Sequence, residues 1–115
     1  MTDEIVLWFN ARCSKCRAAL QILEGGAVPF RLRHYLDEPP SRAELERAVE
    51  LLGGDARAIA RTGDDAWARL GLDAAGPSDL LAALAEHPAL IERPLAFRGD
   101  RALVARPPER VRELL

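Results

Sequence analysis

The fold follows from residues 5–16, which read Ile5-Val6-Leu7-Trp8-Phe9-Asn10-Ala11-Arg12-Cys13-Ser14-Lys15-Cys16. The first five residues form a continuous, largely β-favouring apolar run, as expected for a strand covered on both faces within a parallel sheet. The segment from Ser14 to Glu24 has apolar residues at helical spacing and ends at Gly25-Gly26, which predicts a helix with a glycine stop. The two cysteines therefore lie at a strand-to-helix junction.

A second strand and a second helix follow. Apolar residues at positions 28, 30 and 32 alternate with residues of other types, which predicts a strand that a crossover helix joins to the first one. Such a βαβ unit is expected to be parallel and right-handed. Pro39-Pro40 breaks the chain, and Ser41 with Glu44 forms a capping-box pattern ahead of a helix from about Arg42 to Leu52.

The remainder of the chain predicts short helices, a hairpin and a terminal helix. Helical patches around residues 56–60, 66–70 and 78–86 are punctuated by Gly and Pro, which indicates an inserted helical subregion between Gly53 and His87. Gly99-Asp100 lies between two short apolar stretches and predicts a hairpin with a two-residue turn. Pro107-Pro108 then opens a helix whose apolar residues are Val111, Leu114 and Leu115.

This order of elements predicts the α/β class and a thioredoxin-like (glutaredoxin-type) fold. We expect a small mixed β-sheet flanked by helices, with the inserted helical subregion, and with Cys-x-x-Cys directly after the first strand. A chain of 115 residues fits a single domain, residues 1–115, with one core and one site.

Composition excludes several classes of protein. Hydrophobic residues at 49%, charged residues at 30% and a net charge of −2 are ordinary values for a globular protein. No apolar run approaches the ~20 residues that cross a bilayer, and Met1 is followed by Thr2-Asp3-Glu4 rather than by basic residues. The sequence pI of about 5.7 shows that the chain lacks the excess of basic residues that is typical of nucleic-acid-binding proteins. We therefore expect a cytoplasmic monomer without membrane or nucleic-acid partners.

The cysteine pair is suited to thiol chemistry. A thiol reacts as its thiolate, so a nucleophilic cysteine needs a pKa below the ordinary value of ~8.5. Cys13 lies where a helix begins, and unpaired backbone N–H groups there favour an anion. Cations at Arg12, Lys15 and Arg17 add to this effect. Cys16 is one helical turn away, close enough to resolve Cys13 as a disulfide.

Two other interpretations of these residues stay open at this point. Cys16 is also consistent with a small buried apolar residue of the helix that has no redox role. Zinc binding has less support, because a structural site needs four ligands and only His34 and His87 are available besides the two cysteines. We therefore predict no metal site.

Four segments together resemble the glutaredoxin-fold arsenate reductase (ArsC) family, which belongs to the ArsC/Spx/YffB superfamily. These segments are Asn10-Ala11-Arg12-Cys13-Ser14-Lys15-Cys16-Arg17, His34-Tyr35-Leu36-Asp37-Glu38-Pro39-Pro40-Ser41, Glu86-His87-Pro88-Ala89-Leu90-Ile91-Glu92-Arg93-Pro94 and Ala105-Arg106-Pro107-Pro108-Glu109. The resemblance extends from the first strand to the C-terminal helix. Cys-x-x-Cys alone would carry little information. The Arg93-Pro94 and Arg106-Pro107 pairs, which we call the Arg-Pro landmarks, follow it in an order that is specific to this family and its close relatives.

The resemblance implies reduction of arsenate to arsenite by a cysteine nucleophile at Cys13. It also implies that three arginines, Arg61, Arg93 and Arg106, hold the oxyanion, with Arg17 as a helper. Planar guanidinium groups give charge-assisted, often bidentate hydrogen bonds to such oxygens. Phosphate and sulfate are expected to mimic the substrate, phosphate as a competitor without turnover. No bound cofactor is implied; the electrons come from an external thiol reductant, either thioredoxin or glutathione with glutaredoxin.

The resemblance also implies a structural proline, and the sequence departs from the family pattern at two positions. Pro94, in Arg93-Pro94, resembles the cis-proline that faces the cysteine loop in thioredoxin-like folds. Phe9 occupies a position near that of a histidine in the glutathione-coupled enzymes, so activation by histidine cannot be transferred. Cys16 replaces a non-thiol residue of those enzymes and is typical of Spx-type regulators. The alternatives are therefore an Spx-like redox-sensing transcription regulator that binds RNA polymerase, or a general thiol-disulfide reductase of the same fold.

Overall fold

A computed structural model describes residues 3–115 of the chain. Its sheet has four strands, β1 (Ile5–Trp8), β2 (Phe30–Arg33), β3 (Leu95–Arg98) and β4 (Arg101–Val104), in the order β2-β1-β3-β4. The β1–β2 pair is parallel, whereas β1–β3 and β3–β4 are antiparallel. The sheet is therefore mixed, and the predicted α/β thioredoxin-like fold is confirmed.

The α-helices occur close to where the sequence predicts them. They are α1 (Ser14–Glu24), α2 (Arg42–Leu51), α3 (Asp65–Arg69) and α4 (Pro77–Glu86). Short 3₁₀ helices cover Ala56–Ile59, Leu72–Ala74, Pro88–Leu90 and Pro108–Leu114. None of the helices in residues 3–115 is long and apolar enough to cross a membrane.

The chain forms two compact units. One contains the sheet and α1, from the residues up to Glu38 and the segment Arg93–Leu115. The other is Pro39–Glu92, a helical insertion between β2 and β3. The insertion is wider than the predicted subregion, because α2 packs against α4 within it. The sequence pattern located the helices but did not indicate which of them pack together.

The core of the sheet unit joins β1 to α1 and to the C-terminal segment. Leu7 of β1, Leu23 of α1 and Val111 of the C-terminal segment belong to one buried cluster. Cys16 and Ala19 complete the buried face of α1 at helical spacing. This packing fixes α1 against the sheet and places its first turn at the end of the loop that follows β1.

The glycine stop of α1 is confirmed, because the helix ends at Glu24 and Gly25 is its C-cap residue, with right-handed dihedral angles, φ −81° and ψ −7°. A Cβ at Gly26 would lie 3.1 Å from Leu115 Cδ2, which is the end of a flexible side chain. The terminal helix is a 3₁₀ helix, Pro108–Leu114, and Leu115 is 43% exposed rather than part of its buried face.

The predicted capping box at the start of α2 is confirmed. Ser41 Oγ accepts a hydrogen bond from the Glu44 N–H at 3.1 Å, and Glu44 Oε1 accepts one from the Ser41 N–H at 3.0 Å. The two bonds satisfy donors that the first turn of a helix otherwise leaves without a partner.

Replacing Ser41 with alanine should therefore lower the free energy of unfolding by about 1 kcal/mol, because the cap is lost. Urea denaturation followed by circular dichroism measures this change. Ser78→Ala is the matched control: its Oγ accepts a hydrogen bond from exposed Arg42 but does not cap a helix. The control should stay within about 0.5 kcal/mol of the parent, and equal stability of the two variants would contradict the capping role.

Candidate active site

Cys13 occupies the N-cap position of α1, in the loop that follows β1. Its N–H donates a hydrogen bond to the carbonyl oxygen of Asn10 at 3.0 Å, and its own carbonyl accepts one from the Arg17 N–H at 3.1 Å. The second of these bonds is the first i→i+4 bond of the helix. The prediction that Cys13 lies at the helix start is confirmed.

Exposure separates the two cysteines. Both are free thiols, but Cys13 is 8% exposed and Cys16 is 0% exposed. Both residues are therefore buried, but Cys13 retains a small exposed fraction, whereas Cys16 has none. Any reaction of Cys16 in the folded state has to involve a neighbouring group.

The environment of Cys13 favours its thiolate. Burial works to raise the pKa of the thiol, but the backbone N–H of Cys16, the Cys16 thiol, the backbone N–H of Lys15 and the charge of Arg93 outweigh it. The net result is a pKa below the ordinary value for cysteine. The Cys13 side chain makes no capping hydrogen bond, but the N–H groups of Lys15 and Cys16 belong to the first turn of α1 and favour an anion there.

The environment of Cys16 favours the protonated thiol, in contrast to that of Cys13. Burial raises the pKa of its thiol to about 12, the backbone N–H of Asn10 opposes this rise, and the negative charge of Cys13 adds to it. At neutral pH Cys16 therefore keeps its proton and serves Cys13 as a hydrogen-bond donor. A buried thiol of this kind fits both the apolar core position and the resolving role considered from the sequence.

The two Arg-Pro landmarks lie together. The Arg93-Pro94 peptide bond is cis, as the family resemblance implied, and Arg106-Pro107 is cis as well. Arg106 Nη1 donates a hydrogen bond to the carbonyl oxygen of Arg93 at 3.0 Å. The positive charge of Arg93 acts on both cysteine sulfurs. The landmarks and the cysteine loop thus form one connected neighbourhood.

Arg17 holds the cysteine loop from the side of the helix. Its Nη1 donates a hydrogen bond to the carbonyl oxygen of Ala11 at 2.8 Å. That donor is therefore engaged with the loop backbone. The remaining N–H groups of the Arg17 guanidinium could help to bind an oxyanion, and this role stays a prediction.

Arg61 belongs to the Pro39–Glu92 unit. It follows an isolated bridge between Ala60 and Ile91, and its backbone N–H donates to the carbonyl of Leu90 at 2.8 Å. Its guanidinium forms an ion pair with Asp64 at 3.3 Å. The substrate-binding role of Arg61 stays a prediction from the family resemblance.

A cleft of about 390 Å³ adjoins the cysteine loop within the sheet unit. Phe9 and Arg12 line it on the loop side, and His34 and Leu36 line it on the side of the turn after β2. The rings of Phe9 and His34 meet edge to face, with centroids 5.8 Å apart. Within residues 3–115 no three His, Cys, Asp or Glu side chains are grouped so as to hold a metal ion.

Sequence reasoning missed two residues of this neighbourhood. Asn10 accepts the Arg12 N–H on its side-chain Oδ1 at 3.0 Å, in addition to the bond from Cys13 to its carbonyl. Tyr35 is 1% exposed, although it follows a half-exposed strand. Asn is a typical turn residue, so the chain carries a weak local signal for Asn10. No local signal indicated the burial of Tyr35, because this burial arises from packing against residues that are distant in sequence.

The sequence model of the ArsC family matches residues 8–114. The arsenate reductase of Neisseria meningitidis serogroup A is 42% identical, over 97% of this chain and 98% of that relative. The arsenate reductase of Haemophilus influenzae is 39% identical, over 96% of this chain and 98% of that protein. The solved arsenate reductase from Vibrio cholerae is similar with a TM-score of 0.93 and 36% identity, over 100% of both chains.

The unequal exposure and acidity of the two thiols predict selective alkylation. At pH 7 iodoacetamide should label Cys13 at least about 10-fold faster than Cys16, because only the thiolate reacts. Peptide mass spectrometry at timed intervals measures both rates. The midpoint of the pH dependence of the Cys13 rate should lie below that of an ordinary cysteine, since the pKa of Cys13 is lowered.

Unfolding in denaturant provides the control for this experiment, since both thiols should then react alike. Equal labelling rates in the folded protein would contradict the contrast between the two cysteines.

Proposed function

The chain belongs to the ArsC family, and we propose that it is an arsenate reductase in which the Cys13 thiolate attacks arsenate. The proposal depends above all on the chemical state of Cys13, a thiol at a helix N-terminus whose pKa is lowered. A lowered pKa increases the fraction of the sulfur that is present as thiolate, which is the nucleophilic form. Reduction of arsenate makes the chain an oxidoreductase. The regulator and general-reductase alternatives gain no support from the relatives described above.

Arginines supply the charge that an oxyanion requires. Arsenate carries between one and two negative charges near neutral pH, and guanidinium groups bind such oxygens through charge-assisted pairs of hydrogen bonds. We assign this role to Arg93 and Arg106, which are neighbours because Arg106 Nη1 donates a hydrogen bond to the Arg93 carbonyl oxygen, and to Arg61 on the family resemblance. Arg17 assists by holding the loop and by its charge.

The first chemical step forms a bond between Cys13 sulfur and arsenic. An arsenic–oxygen bond breaks, and the oxygen leaves as water after taking up protons. In the second step a thiol attacks the Cys13 sulfur, so that the sulfur–arsenic bond breaks and its electron pair stays on arsenic. Arsenic(V) is thereby reduced to arsenite, and two thiols are oxidised to a disulfide.

We assign the second thiol to Cys16. Its side chain is fully buried and donates a hydrogen bond toward Cys13, which favours attack from within the protein. Once Cys13 carries arsenic, the negative charge that helps to raise the pKa of Cys16 is gone. Thioredoxin then reduces the Cys13–Cys16 disulfide in the cytoplasm, where thiols stay reduced. Glutathione with glutaredoxin is the alternative donor.

Cys13→Ser should lower arsenate turnover by at least about a thousandfold, as expected for loss of a nucleophile. Coupled NADPH oxidation that depends on added arsenate measures it, with thioredoxin and with glutathione plus glutaredoxin in parallel. Cys16→Ser should lose the thioredoxin-coupled activity, because no internal disulfide can form. Turnover that survives in Cys13→Ser would refute the mechanism, and full thioredoxin-coupled activity of Cys16→Ser would refute the internal route.

Arg106→Ala should lower kcat/KM for arsenate about 10- to 100-fold, the loss expected for a hydrogen bond to a charged group. Inhibition by phosphate should weaken in parallel, because both anions would use the same guanidinium.

Arg47→Ala is the control for this arginine, since its exposed side chain pairs only with Glu50 on α2 among the ion pairs of the described residues. Its kinetics should match those of the parent. An Arg106→Ala protein with unchanged affinity for arsenate and phosphate would contradict the assignment.

A further inference from the structure

The cleft beside the cysteine loop has an apolar centre and a charged edge. Phe9 lines it directly after β1, and Leu36 lines it from the turn after β2. Leu36 is 42% exposed, which makes it one of three large hydrophobic residues at the surface of residues 3–115. Arg12 and Asp37 line the same cleft, and both are exposed. An open apolar centre with a charged rim is typical of a protein-binding surface, whereas a ligand pocket encloses its ligand.

Backbone hydrogen bonds hold both walls of this cleft. The Phe9 N–H donates to the carbonyl oxygen of Arg33 at 2.8 Å, which joins the end of β1 to the end of β2. The carbonyl oxygen of His34 accepts hydrogen bonds from the N–H groups of Asp37 at 3.0 Å and Glu38 at 2.9 Å. Arg33 Nε and Nη2 close the turn by donating to the carbonyl oxygen of Glu38. The cleft is therefore preorganised, which lowers the entropic cost of binding a partner.

Two cations at the cysteine loop lack a carboxylate partner. Arg12 and Lys15 lie on either side of Cys13 in the chain, and both residues are exposed. Within residues 3–115 neither of them forms an ion pair. Asp37 lines the opposite wall of the cleft but does not pair with Arg12. Acidic groups of a partner complement such cations, because complementary charge guides encounter and register.

The proposed reaction cycle needs a partner at this place. Its disulfide joins Cys13 to Cys16, and of these two residues only Cys13 keeps an exposed fraction in the reduced protein. A reducing protein therefore has to approach from the Cys13 side. Asn10, Ala11 and Arg12, which directly precede Cys13, line the cleft. Even a transient protein interface covers up to roughly 600 Å² on each partner, so a partner whose thiol reaches Cys13 extends over the neighbouring cleft.

We propose that this cleft is the docking surface for a dithiol protein of the thioredoxin class that reduces the Cys13–Cys16 disulfide. The partner places an apolar side chain against Leu36 and acidic side chains against Arg12 and Lys15. This inference rests on the proposed function, because Cys16 supplies the second thiol there.

The reduction proceeds by two thiol-disulfide exchanges. The partner's thiolate attacks the Cys13 sulfur and forms a mixed disulfide, and Cys16 leaves as a thiolate that takes up a proton. The partner's second thiol gives up its proton and attacks its own sulfur in the mixed disulfide. Cys13 then leaves as a thiolate, and the partner is oxidised to a disulfide.

Reduction of the preformed disulfide measures docking without arsenate. Protein oxidised beforehand with diamide is reduced by thioredoxin, with thioredoxin reductase and NADPH, and in parallel by dithiothreitol, a small dithiol that needs no docking surface. Leu36→Ser should lower kcat/KM for thioredoxin about 10-fold, the loss expected for an anchor residue of an interface, and leave the dithiothreitol rate unchanged. Leu70→Ser is the matched control, since Leu70 is 46% exposed but belongs to the Pro39–Glu92 unit. Both of its rates should equal those of the parent.

The charged rim has a separate readout. Arg12→Gln should lower kcat/KM for thioredoxin about threefold, the size expected for an exposed charge. It should also make this parameter less dependent on salt, because ions screen exposed charges. Arg69→Gln is the control, since Arg69 is an exposed residue of α3 that forms no ion pair within residues 3–115. It should keep the rate and the salt dependence of the parent.

Equal thioredoxin kinetics in the parent and Leu36→Ser would overturn the inference, as would an equal loss with thioredoxin and dithiothreitol. Slower reduction of Leu36→Ser by glutathione would also overturn it, since the cleft would then hold a small thiol. The proposed function fails separately: a parent that thioredoxin reduces in a Leu36-dependent way but that does not turn over arsenate would refute arsenate reduction and leave the docking surface standing.

Discussion

The stabilisation of one sulfur anion at the start of α1 is the interaction on which the rest of the site depends. Cys13 is held at the N-cap, where backbone N–H groups of the first turn, the Cys16 thiol and the charge of Arg93 together outweigh the cost of burial. Without this balance the sulfur would be a weak nucleophile at neutral pH. The core between β1, α1 and the C-terminal segment fixes the helix and therefore the anion's surroundings.

The same arrangement gives the two cysteines different roles. Cys13 keeps a small exposed fraction and has a lowered pKa, whereas Cys16 is fully buried and has a pKa raised to about 12. The proton of Cys16 stabilises the Cys13 anion before reaction. In the proposed mechanism, the bond to arsenic removes the charge from the Cys13 sulfur, which is one of the causes of the high pKa of Cys16, although burial is the larger cause.

Elements with strong local signals were predictable from the sequence, whereas features set by packing were not. The apolar run of β1, the span Ser14–Glu24 of α1 and the capping box at Ser41 each depend on neighbouring residues and occur as expected. Cys13 followed from the same reasoning, because it lies at the junction of two such elements. The 3₁₀ form of the C-terminal helix and the burial of Tyr35 depend on contacts distant in sequence, which no local pattern encodes.

Ultraviolet thiolate absorbance as a function of pH tests the central claim most directly. We predict that the reduced protein shows one thiolate step with a pKa below that of an ordinary cysteine, and that this step is absent from Cys13→Ser. A first step at or above the ordinary value, or one that persists in Cys13→Ser, would show that Cys13 is not the stabilised anion.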